Sequence, residues 1–101
     1  MKVSGLSFEE FIQLLRTESS CPKSLSVALQ GLWYDKKGNW DRGHEIVQDA
    51  NDSDSAWVHA YLHRKEGDIS NAHYWYRRSG KPAANTSLDQ EWEDIVRALL
   101  N

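Results

Sequence analysis

Apolar residues recur at three- and four-residue intervals along the chain, and no segment shows the two-residue alternation of a strand. The pattern predicts an all-α fold of about six short helices. Ser7 and Glu10 are spaced as a capping box ahead of the run FIQLL, so helix one runs from about Phe8 to Arg16. TESSCP interrupts it, because a residue before proline disfavours the helical region. Pro22 suits the first turn of helix two, where its missing N–H costs nothing. That helix carries Leu25, Leu29, Leu32 and Trp33 on one face and ends at Gly38.

Asn39 is placed to cap helix three, which has Trp40, Gly43, Val47 and Ala50 on one side. The polar run NDSDS separates it from helix four, near Ala56 to Glu66, which stops at Gly67. Asp68 caps helix five, from about Ile69 to Ser79. After the loop GKPAANT, Ser87 and Gln90 repeat the capping-box spacing. They open helix six, with Trp92, Ile95, Val96, Leu99 and Leu100 as its apolar stripe.

Sliding the chain against itself brings Gly38-Asn39-Trp40 onto Gly67-Asp68-Ile69. In the same register Gly43 meets Ala72, His44 meets His73 and Val47 meets Tyr76. Two helix-turn-helix units follow, at about 25–51 and 54–80. Each resembles a tetratricopeptide (TPR) or Sel1-type repeat. Gly31-x-x-Tyr34, the Gly38-Asn39-Trp40 turn and Gly43-x-x-x-Val47 fill that pattern once. Ala60-x-x-His63, Gly67-Asp68-Ile69 and Ala72-x-x-x-Tyr76 fill it again, and NAHYWYRRSG is similar to the second helix of Sel1 repeats. The offset between the units is shorter than a TPR's, and the terminal proline is not in its place. Two repeats leave an apolar face bare at each end, so helices one and six are expected to cap them. The chain is also similar to small bacterial proteins with the same tryptophan- and histidine-rich core, a likeness that supplies no activity.

A length of 101 residues predicts one domain, 1–101, and five tryptophans give it ample material for a core. The net charge of −3 argues against a nucleic-acid-coating protein. No apolar run approaches a membrane span. The start, MKVSGLSFEEF, places acidic residues where a secretory signal needs an uninterrupted apolar core. A single cysteine, Cys21, forms no internal disulfide and reads as a small residue at a helix start. Together these features predict a cytoplasmic protein with no membrane partner. No phosphate loop, serine-nucleophile motif or cysteine–histidine metal pattern occurs, and no cofactor is expected.

Candidate chemistry concentrates in HAYLHRKEGDISNAHYWYRR, residues 59–78. His59 and His63 share a helix face at four-residue spacing, and a hairpin folding back at Gly67 brings His73 level with them. With Glu66 as a fourth ligand, this cluster predicts a metal or ligand site, or an enzyme built on it. Ala60 stands where the zinc-peptidase motif needs glutamate. The plainer reading is that His63 replaces the repeat's tyrosine and that His44 and His73 share a packing role. Arg64, Lys65, Arg77, Arg78 and Lys81 make residues 64–81 locally basic. As helical repeats mostly present a binding face, the leading expectation is a protein- or peptide-interaction module that favours an acidic partner. Its surface is assigned to Trp57, Tyr61, Arg64 and Lys65, with Arg77 and Arg78 as an adjoining rim.

Overall fold

The computed structural model describes residues 6–100, which form six α-helices and no strand. They are α1 (Phe8–Thr17), α2 (Val27–Lys36), α3 (Trp40–Gln48), α4 (Ser53–Glu66), α5 (Ile69–Ser79) and α6 (Leu88–Leu100). The basic start assessed above for a signal, residues 1–5, lies outside the described residues. No described helix is long and apolar enough to cross a membrane.

The helix ends follow the side chains that cap them. In α1 the Glu10 N–H donates to Ser7 Oγ at 3.1 Å, and the Ser7 N–H donates to Glu10 Oε1 at 2.8 Å. The capping box is therefore complete. Helix two starts later than Pro22. Ser26 is its cap, accepting from the Leu29 N–H at 3.2 Å, while Pro22 accepts from the Leu25 N–H in a preceding turn. A hydroxyl that satisfies an orphan donor wins over a proline that satisfies none. Helix four starts earlier than Ala56, because Asp52 caps it through the Ser55 N–H at 2.9 Å.

The two central hairpins, α2–α3 and α4–α5, share their turn. Gly38 has φ 88° and Gly67 has φ 92°, both in the left-handed region, and each is followed by a side-chain cap, Asn39 or Asp68. Only glycine enters that region without a steric penalty. The crossings inside the hairpins also correspond. A Cβ on Gly43 would lie 2.7 Å from the Gly31 carbonyl oxygen, so α2 and α3 touch backbone to backbone. In the second hairpin Ala60 and Ala72 are both buried at the crossing and pack with Tyr76.

The main core lies where α1 and α6 close over α2 and α4. Phe11 is fully buried, with its ring 6.1 Å from both Trp33 and Trp92. The Trp92 indole N–H donates to the Leu32 carbonyl at 3.1 Å, so the polar atom of a buried tryptophan is satisfied. α1 is tied down at its C-terminus by Lys37, whose ammonium donates to the Leu15 and Glu18 carbonyls.

Candidate functional site

Helix α4 is buried on almost every side, and its polar side chains Tyr61, Arg64 and Lys65 are matched to specific partners, whereas Ser55 Oγ and His59 Nδ1 find none among the described residues. Toward α2, Tyr61 O–H donates to Asp35 Oδ2 at 2.8 Å, and Lys65 Nζ donates to Asp35 Oδ1 at 2.9 Å. Toward α6, Arg64 Nη1 donates to Glu91 Oε1 at 2.8 Å, and Arg64 Nη2 donates to the Thr86 carbonyl. Glu91 Oε2 accepts from Tyr76 O–H at 2.6 Å. Asp35 and Glu91 are only 4% and 3% exposed. Burial and the neighbouring carboxylates push both phenols well above the ordinary tyrosine range. They stay protonated and serve as permanent donors.

This arrangement corrects the surface assigned from sequence. Tyr61 is a core side chain, 2% exposed. Arg64 and Lys65 are spent neutralising internal carboxylates that are distant in sequence. Trp57 is half-buried, and Arg77 and Arg78 are exposed. The tyrosine and tryptophan that neighbour Arg78 in sequence are also beside it in the fold. Tyr74 is exposed, its hydroxyl accepts from Arg78 Nη1 at 3.0 Å, and the Arg78 guanidinium lies 5.1 Å from the Trp75 ring centre. The Lys81 ammonium lies 4.6 Å from the Trp57 ring centre. Both tryptophans pack against the Ala60–Ala72–Tyr76 cluster of the α4–α5 hairpin.

The histidines are gathered differently from the sequence-based expectation. His44, His59 and His63 converge, with one ligand nitrogen from each lying within 4.8 Å of the others. His44 comes from α3, and His59 and His63 from the face of α4 packed against it. His44 Nε2 and His59 Nε2 are 3.0 Å apart. His63 Nδ1 lies 2.7 Å from Glu66 Oε2. His73 is not in the group. It is exposed, with its ring 6.5 Å from Tyr76, because the face of α5 turned toward His59 is occupied by Trp75, two residues on. Glu66 pairs with the back of His63 instead of standing as a fourth member of the group. A looser set of His63, Glu66 and Asp68 also gathers its ligand atoms within 4.8 Å, but both carboxylates there are exposed.

Two tryptophans bracket the three rings. Trp40 stacks on His44, with centroids 4.9 Å apart and an interplanar angle of 7°, and its indole N–H donates to the Leu62 carbonyl on α4 at 2.9 Å. Trp75 stacks on His59 at 3.9 Å and 19°. Burial, with the adjoining His44 and His63, lowers the His59 pKa from 6.5 to about 3. Burial lowers His44 as well, with His63 adding to it. Both imidazoles are therefore neutral at physiological pH. His59 is 3% exposed, and its Nδ1 is buried with no hydrogen-bond partner.

Comparison with protein-family models, curated proteins and solved structures finds no match for this chain.

Proposed function

We propose that this chain is a small TPR-like interaction module that takes an acidic peptide segment of a partner protein on its α4–α5 surface. The observation that carries the reading is the placement of Arg78 and Lys81. Each lies over an aromatic ring of the α4–α5 hairpin, neither forms an ion pair with a carboxylate among the described residues, and Arg77 is exposed beside Arg78 in sequence. Arg64 and Lys65 contrast with them, since each is matched to a buried carboxylate. A guanidinium or ammonium held on an aromatic face still directs its N–H groups outward to a carboxylate. Tyr74 and the exposed edge of Trp75 supply rings for the apolar parts of the same segment. The shared turns and small-residue crossings of the two hairpins support the repeat reading, because they give the rigid scaffold that such a surface needs.

The test is fluorescence anisotropy of a labelled decapeptide of alternating glutamate and tyrosine, titrated with the full chain. Saturable binding is expected, weakening several-fold between 50 and 500 mM salt (roughly the range over which a Debye length falls from above 10 Å to a few Å). The triple variant Arg77→Glu/Arg78→Glu/Lys81→Glu should abolish it, whereas a lysine–tyrosine decapeptide should not bind. Equal binding of the acidic and basic peptides, or none of either, contradicts the reading.

A further inference from the structure

We propose that His44, His59 and His63 form a binding site for one first-row transition-metal ion of the zinc–copper class, held between the two hairpins. The inference is independent of the peptide surface.

Geometry is the first support. Two imidazole nitrogens bound to one tetrahedral ion at about 2.0–2.1 Å each stand roughly 3.3 Å apart. His44 Nε2 and His59 Nε2 are 3.0 Å apart, so an ion is admitted by parting them a few tenths of an ångström. The third ring lies with its centroid 5.0 Å from His44 and 4.8 Å from His59. Such convergence from two helices does not follow from the four-residue spacing of His59 and His63 alone. It needs His44 from the preceding hairpin, positioned by the Trp40 hydrogen bond across to α4.

Tautomers are the second support. Metal ligation requires a neutral imidazole whose ligating nitrogen carries no proton. Glu66 accepts at His63 Nδ1, which places the proton there and leaves Nε2 as the lone-pair nitrogen. A carboxylate on the far nitrogen of a ligating histidine orients the ring and raises its basicity. His44 and His59 share a single proton along their Nε2–Nε2 contact; with an ion bound, the donating ring would carry that proton on Nδ1 and both Nε2 lone pairs would face the ion.

The third support is an unmet cost. A buried ring nitrogen with no partner destabilises a fold, and a phenylalanine at residue 59 would stack on Trp75 without it. His59 nonetheless carries one, at Nδ1. Its other nitrogen, Nε2, faces His44 Nε2 and is the one presented to an ion. Aromatic packing explains the stack on Trp75 but not the choice of an imidazole in it.

The ligand set selects the ion. Three neutral imidazoles without thiolate suit Zn²⁺, Cu²⁺, Ni²⁺ and Co²⁺, whereas Mg²⁺ and Ca²⁺ require oxygen ligands. Three protein ligands leave a further coordination position for water or a small anion. His44 is only partly buried, so that position is reached from the solvent side of α3.

The experiment uses the full chain, purified without a histidine tag and stripped with chelator. Zinc chloride is titrated in competition with a chromophoric chelator, and copper sulfate is followed by quenching of tryptophan fluorescence, to which Trp40 and Trp75 report directly. One ion per chain is expected for both, with no response to magnesium or calcium chloride. His44→Gln should weaken zinc binding at least 10-fold, and Glu66→Gln about 10–100-fold. His73→Gln should leave it unchanged. Glu66 is exposed, so its variant separates lost binding from lost folding, and circular dichroism checks the others. A zinc affinity unaltered by His44→Gln and Glu66→Gln, a dependence on His73, or no stoichiometric binding overturns the proposal.

Discussion

Nε2 of His44 and Nε2 of His59 meet at 3.0 Å across the junction of two helical hairpins. Between them lies one hydrogen bond, so one ring donates and the other accepts, and the accepting nitrogen cannot be protonated without breaking it. His63 closes the group, and Trp40 and Trp75 cover it. Keeping His44 and His59 neutral in such a dry setting has a measurable cost in acid.

The metal-free protein should therefore lose stability as the pH falls below about 6.5. The folded pKa of His59, about 3, lies below its ordinary 6.5, so between those values the unfolded chain binds a proton that the folded chain does not. Its contribution is complete above the upper value and declines by about 1.4 kcal/mol per pH unit through the window. Urea unfolding at a series of pH values measures the slope. His59→Phe keeps a ring against Trp75 and should flatten the slope while preserving or raising stability at pH 7. An unchanged slope would show that His59 is not the titrating group.

The glycines should separate into two kinds. Gly67 has a left-handed backbone, and a Cβ there meets nothing within 4 Å, so Gly67→Val costs roughly 1–3 kcal/mol through conformation alone. Gly43→Ala instead drives a methyl into the Gly31 carbonyl and should cost about 1–3 kcal/mol as overpacking. Gly31→Ala meets a Val47 methyl, a side-chain atom, at 2.7 Å, so Val47→Ala should partly rescue it and should not rescue Gly43→Ala. Thermal unfolding of the two double variants checks this. Equal rescue would mean that the hairpin crossing is not a backbone contact.

Arg64 should behave as a structural residue. Glu91 is 3% exposed and receives both Arg64 and Tyr76, so Glu91→Ala leaves a partly buried guanidinium without its carboxylate. A loss on the order of 3 kcal/mol is expected. Tyr76→Phe removes one hydrogen bond to a charged group, roughly 1.5–3 kcal/mol. A double-mutant cycle between Arg64 and Glu91 should show coupling well above the 0–1 kcal/mol of an exposed pair. Coupling near zero would return Arg64 to the surface.

Features governed by a few adjacent residues were legible in the sequence. The Ser7 box, the Gly38-Asn39 and Gly67-Asp68 turns and the small residues at the crossings each act over one or two helical turns. Pro22 misled because two start signals lay close together and Ser26 had the stronger one. Tyr61 and Arg64 looked like free surface groups, and the exposed Lys65 like an unpaired one, because their carboxylates, Asp35 and Glu91, are remote in sequence. Periodicity says nothing of such pairs. The histidine group was half legible. His59 and His63 were found by spacing, whereas His73 was chosen over His44 on the geometry of one hairpin. The repeat register held the better signal. His44 and His73 occupy matching positions, but His44 on α3 has the histidine-bearing α4 of the next hairpin packed against it.

The central claim is that His44, His59 and His63 are one metal site. Crystals of the full chain grown with zinc, with diffraction recorded above and below the zinc absorption edge, test it most directly. A single anomalous peak is expected, at about 2.0–2.1 Å from one nitrogen of each of the three rings. A peak seated instead on the Glu66 and Asp68 carboxylates, a peak at His73, or no peak between α3 and α4 would contradict it.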